Sequence, residues 1–110
     1  PLVILANAYS ASASEITIGA LQDSGVATVL GTKTFGKGVM QDVYSLPDGS
    51  AIKITVAHYF TPKNHDINHV GISPDVKVSE NANPAFGNPA RDAQLAAALS
   101  LIEERLAKPS

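Results

Sequence analysis

The feature that most constrains this fold is a short apolar run, at residues 2–6, that leads directly into a serine- and alanine-rich helix start. Such a run, bounded by turn residues, is typical of a buried β-strand. Ser12 and Glu15 then form the S-x-x-E pattern of a capping box, and Gly25 supplies a left-handed stop. The pattern predicts a strand, a tight turn and a helix that begins after Ser12.

A second apolar strand is predicted at residues 27–30, immediately after this helix. The order strand, helix, strand within about 30 residues suggests a parallel βαβ unit, and hence an α/β fold. The helix face that is expected to be buried consists of Ala13, Ile16, Ala20 and Leu21. The chain opens at Pro1 on the first apolar run without a polar lead-in, so we expect it to be part of a larger protein.

The middle of the chain has the pattern of a long β-hairpin. Strand-forming residues occupy positions 37–46 and 50–60, and Pro47-Asp48-Gly49 between them has the composition of a tight turn. Alternation places one set of side chains from the second arm on a single face, which is predicted to be core. These are Ile52, Ile54, Val56, His58 and Phe60.

The rest of the chain is predicted to form a loop, a short strand, a linker and a final helix. Residues 61–71 are polar, residues 75–78 suit a strand, and residues 79–89 are an Asn-, Pro- and Gly-rich linker. An amphipathic helix is expected over residues 90–107, because apolar side chains recur there every three or four positions. Those side chains are Leu95, Leu99, Ile102 and Leu106. The predicted organisation is a core at 1–78, the linker and the C-terminal helix.

Composition excludes several classes of function. The charges that give the net value of −2 are scattered, with no basic stripe that would bind nucleic acid. Without cysteine there is no disulfide, no thiolate nucleophile and no cysteine metal site. His65 and His69 have the i, i+4 spacing of two metal ligands, but they lie in loop sequence and no third ligand is evident. No metal site is therefore expected.

Ser12 stands where a serine nucleophile could lie, on the sharp turn between a strand and a helix. Its hydroxyl would be exposed there, and the amide of Ala13 would point to where an oxyanion develops, aided by the helix dipole. A serine at a helix start is also an ordinary cap. Capping and catalysis predict the same local fold.

Lys37 is the candidate base, because an unprotonated lysine can take the proton of a serine hydroxyl. Gly36 and Gly38 flank it, and glycines permit close backbone approach. Burial of the amine would favour the neutral form that a base needs. On a strand that begins at Lys37, Gln41 shares its face and could orient the amine. The alternatives are a solvated surface lysine and a solvated strand glutamine.

The same segment also fits the phosphate-binding pattern G-x-x-x-x-G-K, from Gly31 to Lys37. Two departures weigh against nucleotide binding. Gly38 stands where a Mg²⁺-binding serine or threonine is needed, and the residues that follow read as a strand rather than as a helix that would present its N-terminus to phosphate.

With these motifs in place, residues 1–78 resemble the carboxy-terminal processing proteases, also called tail-specific proteases, which are serine peptidases with a crotonase-like α/β core. The phrases that carry the resemblance are, in order, residues 7–16, Gly19-Ala20-Leu21-Gln22-Asp23, residues 31–38, Pro47-Asp48-Gly49-Ser50 and Gly71-Ile72-Ser73-Pro74-Asp75. The resemblance implies that the βαβ unit, the hairpin and the C-terminal helix belong to a crotonase-like fold.

The resemblance also implies roles for particular residues. The nucleophile of the family falls on Ser12, its lysine base on Lys37 at the usual spacing, and the glutamine that supports the base on Gln41. The Ala13 amide would be one oxyanion donor, and Asp23 matches an acidic position near the site.

By the same resemblance, the parent protein is expected to be an endopeptidase that cleaves protein or peptide substrates near their C-termini. It would act outside the cytoplasm, in the periplasm or at the membrane of a bacterium, without a metal or organic cofactor. The second oxyanion donor of the family and a peptide-binding PDZ domain lie upstream of the matched region. One alternative is a noncatalytic binding or scaffold module of the same fold. Another is a different enzyme of the crotonase-like fold, acting on acyl thioesters, or a Ser-His-Asp peptidase of related architecture.

The isolated chain is expected to be inactive, because it lacks that second oxyanion donor. Without the upstream segments its apolar surfaces would lack part of their cover, so we expect it to form homo-oligomers.

Overall fold

The computed structural model describes residues 1–108. Its elements follow the order strand, helix, four strands, helix. In chain order they are β1 (Val3–Ala6), α1 (Ala13–Asp23), β2 (Thr28–Gly31), β3 (Val39–Ser45), β4 (Ala51–His58), β5 (Val76–Lys77) and α2 (Ala93–Ala107). No helix among the described residues is both long enough and apolar enough to cross a membrane.

Three short parallel strands form the sheet that carries the candidate site. Their order is β1-β2-β5, with Ile4 opposite Val29 and Leu30 opposite Val76. Helix α1 connects β1 to the parallel strand β2, so the predicted βαβ unit is present. Gly25 ends α1 with φ 71, and its amide donates to the Gln22 carbonyl at 2.9 Å, as the left-handed stop requires.

The buried core lies between this sheet, helix α1 and the loop that precedes β5. It consists of Ala6, Ile18, Val29, Ile67 and Ile72. Two of these five residues come from a stretch whose sequence is mostly polar, so this loop is packed structure as well as a connection. Helix α1 approaches the loop so closely that a Cβ at Gly19 would lie 2.8 Å from Thr61 Cγ2. A side chain at Gly19 would therefore require the Thr61 side chain or the loop to shift.

Strands β3 and β4 pair antiparallel as a two-stranded sheet of their own, joined at residues 46–50. The face that sequence alternation marked as core is not covered by any of residues 1–108. Ile52, Ile54 and Val56 are each 46% exposed. Alternation identifies which side chains share a face, but it does not say whether anything packs against that face.

The buried faces of both helices differ from the predicted ones. In α1 the buried residues are Glu15, Ile18 and Gly19, whereas Ile16 is 36% exposed. In α2, which begins at Ala93 and packs against β1 and β2, the buried residues are Gln94 and Ala98. The apolar stripe of α2 is thus only partly covered, and it includes Leu99 and Leu106 among the exposed residues. Polar side chains with hydrogen-bond partners take the buried positions instead.

Candidate active site

Ser12 occupies a strained turn between β1 and α1. It is the N-cap of α1 and has φ 58 and ψ −120, a conformation that L-residues rarely adopt and that costs on the order of 1–3 kcal/mol. The side chain is half-buried at the helix N-terminus. A serine on a sharp, strained strand-to-helix turn is also how several hydrolases expose a nucleophilic hydroxyl.

The amide of Ala13, the first residue of α1, is free to bind a ligand. None of the hydrogen bonds within residues 1–108 is donated by this amide, although the nearby amides of Ser14 and Ile16 are paired. The first amides of a helix have no partner inside the helix, and they lie at the positive end of its macrodipole. Ala13 therefore offers a donor for an oxyanion beside Ser12.

The segment that carries Lys37 is bound closely between the serine turn and the loop before β5. The Phe35 amide donates to the Ser10 carbonyl at 2.9 Å. A Cβ on Gly36 would lie 3.0 Å from the Gly71 nitrogen, and a Cβ on Gly38 would lie 2.5 Å from the Asn68 nitrogen. The glycines on both sides of Lys37 are therefore required for close backbone approach, as predicted.

A buried carboxylate joins the serine turn to the lysine segment. Glu15 is 0% exposed. Its Oε2 accepts from the Ser12 amide at 3.0 Å and from the Lys37 amide at 2.8 Å. Its Oε1 accepts from the Thr34 hydroxyl at 2.5 Å and from the Gly36 amide at 2.7 Å. The capping interaction predicted for Glu15 is present on the Ser12 side, but three further donors come from a segment about twenty residues away.

Sequence reasoning assigned Glu15 to a helix cap and missed its long-range contacts. One signal could have indicated them, because Glu15, Ile18 and Gly19 have the i, i+3, i+4 spacing of one helical face. A charged residue on the same face as a buried isoleucine must find partners from elsewhere in the fold.

Thr34 extends this network to the loop before β5. Its hydroxyl accepts from the Ile72 amide at 2.7 Å, and its own amide donates to the Ile72 carbonyl at 3.1 Å. On the same side, the His69 amide donates to the Gly36 carbonyl at 2.9 Å, with His69 itself at φ 59. Residues 34–36 are consequently held from two sides.

Lys37 and Gln41 line one open cavity of about 740 Å³. The cavity is also bordered by Phe35, Val39, Thr55, His58 and His69. Within residues 1–108 no hydrogen bond joins the side chains of Ser12 and Lys37. The Lys37 side chain is exposed, so the burial predicted for its amine is not provided by the described residues.

Gln41 has a partner across the hairpin. Its Nε2 donates to Thr55 Oγ1 at 3.2 Å, which leaves Oε1 free to accept from an amine. The pairing of β3 with β4 is irregular between Met40 and Gln41, so the simple alternation that placed Gln41 on the face of Lys37 is interrupted there. Their common cavity still brings the two side chains to the same side of the hairpin.

Asp23 lies at the far end of α1 from Ser12. It is the last residue of this 11-residue helix, so the helical rise places it about 16 Å from the serine turn. Hydrogen bonds from the Thr61 hydroxyl and the Lys63 amide lower the pKa of the Asp23 carboxyl, with a smaller contribution from the charge of His65. The Lys63 amide bond measures 2.9 Å. In this structure Asp23 anchors the 61–65 loop rather than approaching Ser12 or Lys37.

The phosphate-binding alternative for residues 31–37 fails on geometry. After Lys37 the chain passes through Gly38 into strand β3, so no helix begins directly after the loop. The backbone amides of Gly36 and Lys37, which such a loop would offer to phosphate, instead donate to the Glu15 carboxylate.

Comparison with known proteins shows which family this chain matches. The model of peptidase family S41 matches residues 1–78. A carboxyl-terminal-processing protease of Picosynechococcus is 50% identical over 105 residues, which cover 94% of this chain and 25% of that protein. The chloroplastic carboxyl-terminal-processing peptidase 3 of Arabidopsis thaliana is 56% identical over 77 residues, covering 70% and 15% of the two chains. The chain thus spans about a quarter or less of the length of the curated relatives it matches.

Solved structures show the same likeness. The photosystem II D1 C-terminal processing protease has a TM-score of 0.68 and 52% identity, over 72% of this chain and 20% of its own. The tricorn protease has a TM-score of 0.76 over 96% of this chain and 10% of its own, at 21% identity, which shows a common fold alone.

Proposed function

This chain belongs to peptidase family S41, and we propose that it carries the nucleophile and the general base of a serine peptidase that cleaves protein substrates near their C-termini. The observation that carries the proposal is Ser12 at φ 58, beside the unpaired Ala13 amide. Backbone strain of this kind persists only where the surrounding structure imposes it, and it concentrates at functional sites. The relatives are processing proteases by name, which supports the substrate class.

The proposed reaction is acyl transfer with Ser12 as nucleophile. Neutral Lys37 accepts the proton of the Ser12 hydroxyl as Oγ attacks the peptide carbonyl carbon. The Ala13 amide donates to the oxyanion that forms. Protonated Lys37 then gives its proton to the leaving amine. Water, deprotonated by Lys37, hydrolyses the acyl-enzyme and restores the Ser12 hydroxyl.

Gln41 is proposed to orient the lysine amine. Its Nε2 is occupied by Thr55 Oγ1, so its Oε1 accepts from the amine and holds it toward Ser12. Asp23 supports the site at a distance, because it fixes the 61–65 loop whose continuation packs on the lysine segment. No metal or organic cofactor enters these steps.

The proposal requires more cover for the lysine than residues 1–108 provide. We infer that segments of a longer protein cover Lys37 and the exposed apolar face of the hairpin, and supply the second oxyanion donor and a peptide-binding PDZ domain. The small share of each relative that this chain spans supports this inference. Residues 1–78 would then be part of a crotonase-like catalytic core, followed by a linker at 79–89 and the C-terminal helix.

Relatives from bacteria and chloroplasts support action in an extracytoplasmic or lumenal compartment. For this chain we propose an extracytoplasmic location in a bacterium, in the periplasm or at the membrane.

The test is covalent labelling in the full-length protein. A fluorophosphonate reacts with an activated serine, and we expect peptide mass spectrometry to place the adduct on Ser12. Ser12→Ala should abolish both labelling and peptide cleavage. Ser14→Ala, two positions further on in α1 and exposed, is the matched control and should retain both. A full-length protein that folds, binds peptides and shows no labelling at Ser12 would instead be a noncatalytic binding module.

A further inference from the structure

We infer that Glu15 is a positioning residue for the reaction proposed above, because its carboxylate sets the distance between the serine turn and the lysine segment. This inference rests on the proposed function, since it assigns the reason why Ser12 and Lys37 can react together. Glu15 forms no hydrogen bond with the Ser12 hydroxyl or the Lys37 amine, and it contacts these two residues through their backbone amides.

One oxygen of the Glu15 carboxylate binds both the serine turn and the lysine segment. Two amides that donate to the same atom, Glu15 Oε2 at 3.0 and 2.8 Å, cannot have their nitrogens more than about 6 Å apart. The nitrogens belong to Ser12 and Lys37, the two residues whose side chains must exchange a proton. A contact made by one carboxylate atom therefore limits the separation of the two functional residues.

The donor set suits the carboxylate form of Glu15. All four partners donate, three through N–H and one through O–H. A carboxylate accepts all four, whereas a carboxylic acid would place one O–H among donors. Hydrogen bonds to an ionised group are about twice as strong as neutral ones, and a fully buried carboxylate is stable only when it has such partners. Hydrogen bonds to the Glu15 carboxylate thus hold segment 34–37 against helix α1.

The same contacts explain how the strained serine turn is kept. A bond from the Ser12 amide to a residue three positions ahead closes the turn on its own helix. The Lys37 bond then fixes that helix to a distant segment. The Ala13 amide remains outside the network and available to substrate. Glu15 accordingly binds the Ser12 and Lys37 amides and leaves the Ala13 amide free for the oxyanion.

The matched substitution is Glu15→Gln, which keeps the size of the side chain but replaces one acceptor oxygen by an NH₂ donor. In the full-length protein we expect the rate of fluorophosphonate labelling at Ser12 and the kcat for peptide cleavage to fall about a hundredfold, the effect of roughly 1 Å of misplacement. KM should change by less than about threefold, because Glu15 does not contact substrate. Glu15→Asp keeps the charge on a shorter side chain. Its labelling rate and kcat should lie between those of Glu15→Gln and the wild type.

Two controls separate positioning from general destabilisation. Val29→Ala removes buried volume in β2, outside residues 12–15 and 34–37, and should lower thermal stability without a comparable loss of kcat. Glu104→Gln removes a charge from the exposed surface of α2 and should change neither quantity. Hydrogen–deuterium exchange gives a readout independent of activity. In Glu15→Gln, exchange should accelerate at least tenfold in peptides that contain Ser12 and Lys37, while peptides from the centre of β2 keep their protection.

The outcomes are distinct. If the wild-type protein is labelled at Ser12 and Glu15→Gln is labelled at the same rate, the positioning role is wrong and the proposed function stands. The same conclusion holds if Glu15→Gln loses no more kcat than Val29→Ala does at an equal loss of thermal stability. If the wild-type protein is not labelled, the proposed function fails, and the exchange experiment alone then decides whether Glu15 holds the two segments together.

Discussion

The backbone amides of Ser12 and Lys37 donate to the same oxygen of the Glu15 carboxylate, at 3.0 and 2.8 Å. A serine at a helix start and a lysine between two glycines are distant in sequence, and a single buried acceptor makes them neighbours. The catalytic pairing that we propose therefore has a structural basis in the backbone, even though the Lys37 side chain is exposed in this structure.

The strain at Ser12 predicts a difference between two substitutions that both remove the hydroxyl. Glycine adopts φ 58 and ψ −120 without steric cost, since this is the conformation of the first central residue of a type II′ turn, whereas alanine does not. We expect Ser12→Gly to be more stable than Ser12→Ala by about 1–3 kcal/mol. Urea unfolding of the two proteins measures the difference. Equal stabilities would mean that the turn is unstrained or relaxes on substitution.

If Lys37 is the base, a side chain that stays protonated at this position cannot replace it. Arginine stays protonated, so Lys37→Arg should be as inactive as Lys37→Ala in the full-length protein. Lys33→Arg, an exposed position in the same segment, is the matched control and should retain activity. The wild-type rate should rise toward alkaline pH, because the neutral amine is the form that acts as a base. A pH-independent rate together with an active Lys37→Arg protein would remove this lysine from the mechanism.

The contacts of Asp23 predict an acid-dependent loss of stability. The Thr61 hydroxyl and then the Lys63 amide hold the pKa of the folded carboxyl below its ordinary value. The stabilisation is therefore fully present above the unfolded pKa, near about 3.9, and is lost as the pH falls through the folded one. Asp23→Asn should lower the midpoint of thermal unfolding at pH 7, and this difference should shrink below about pH 4. Asp42→Asn, on the exposed hairpin, is the control. A difference that grows in acid would contradict the assignment.

The uncovered hairpin predicts self-association of the isolated chain. Exposed apolar strands present surface that pairs with other chains. We expect sedimentation of residues 1–110 to show dimers or larger species, with no detectable peptidase activity. Ile54→Lys, on the exposed face of β4, should shift the distribution toward monomer more than Leu106→Lys on α2. A monodisperse wild-type monomer that cleaves peptides in a Ser12-dependent manner would overturn both expectations.

Local sequence patterns determined the elements of this protein. The apolar run before Ser12, the Ser12 cap and the Gly25 stop define β1, the turn and α1, because caps and glycine stops act within one helical turn. The glycines beside Lys37 indicated close backbone approach for the same kind of reason. These signals depend only on neighbouring residues, so a single chain displays them without reference to the rest of the fold.

Tertiary structure alone decided which surfaces are buried and which polar groups meet. Within residues 1–108 the faces of α1 and β4 that were predicted to be core are not buried, since Ile16 and Ile54 remain exposed while Glu15 is fully buried. Periodicity reports which side chains share a face, but a face is buried only if another segment covers it. A charge is buried only if distant donors satisfy it. For Glu15 those donors are in residues 34–37, and only the folded chain brings them to the carboxylate.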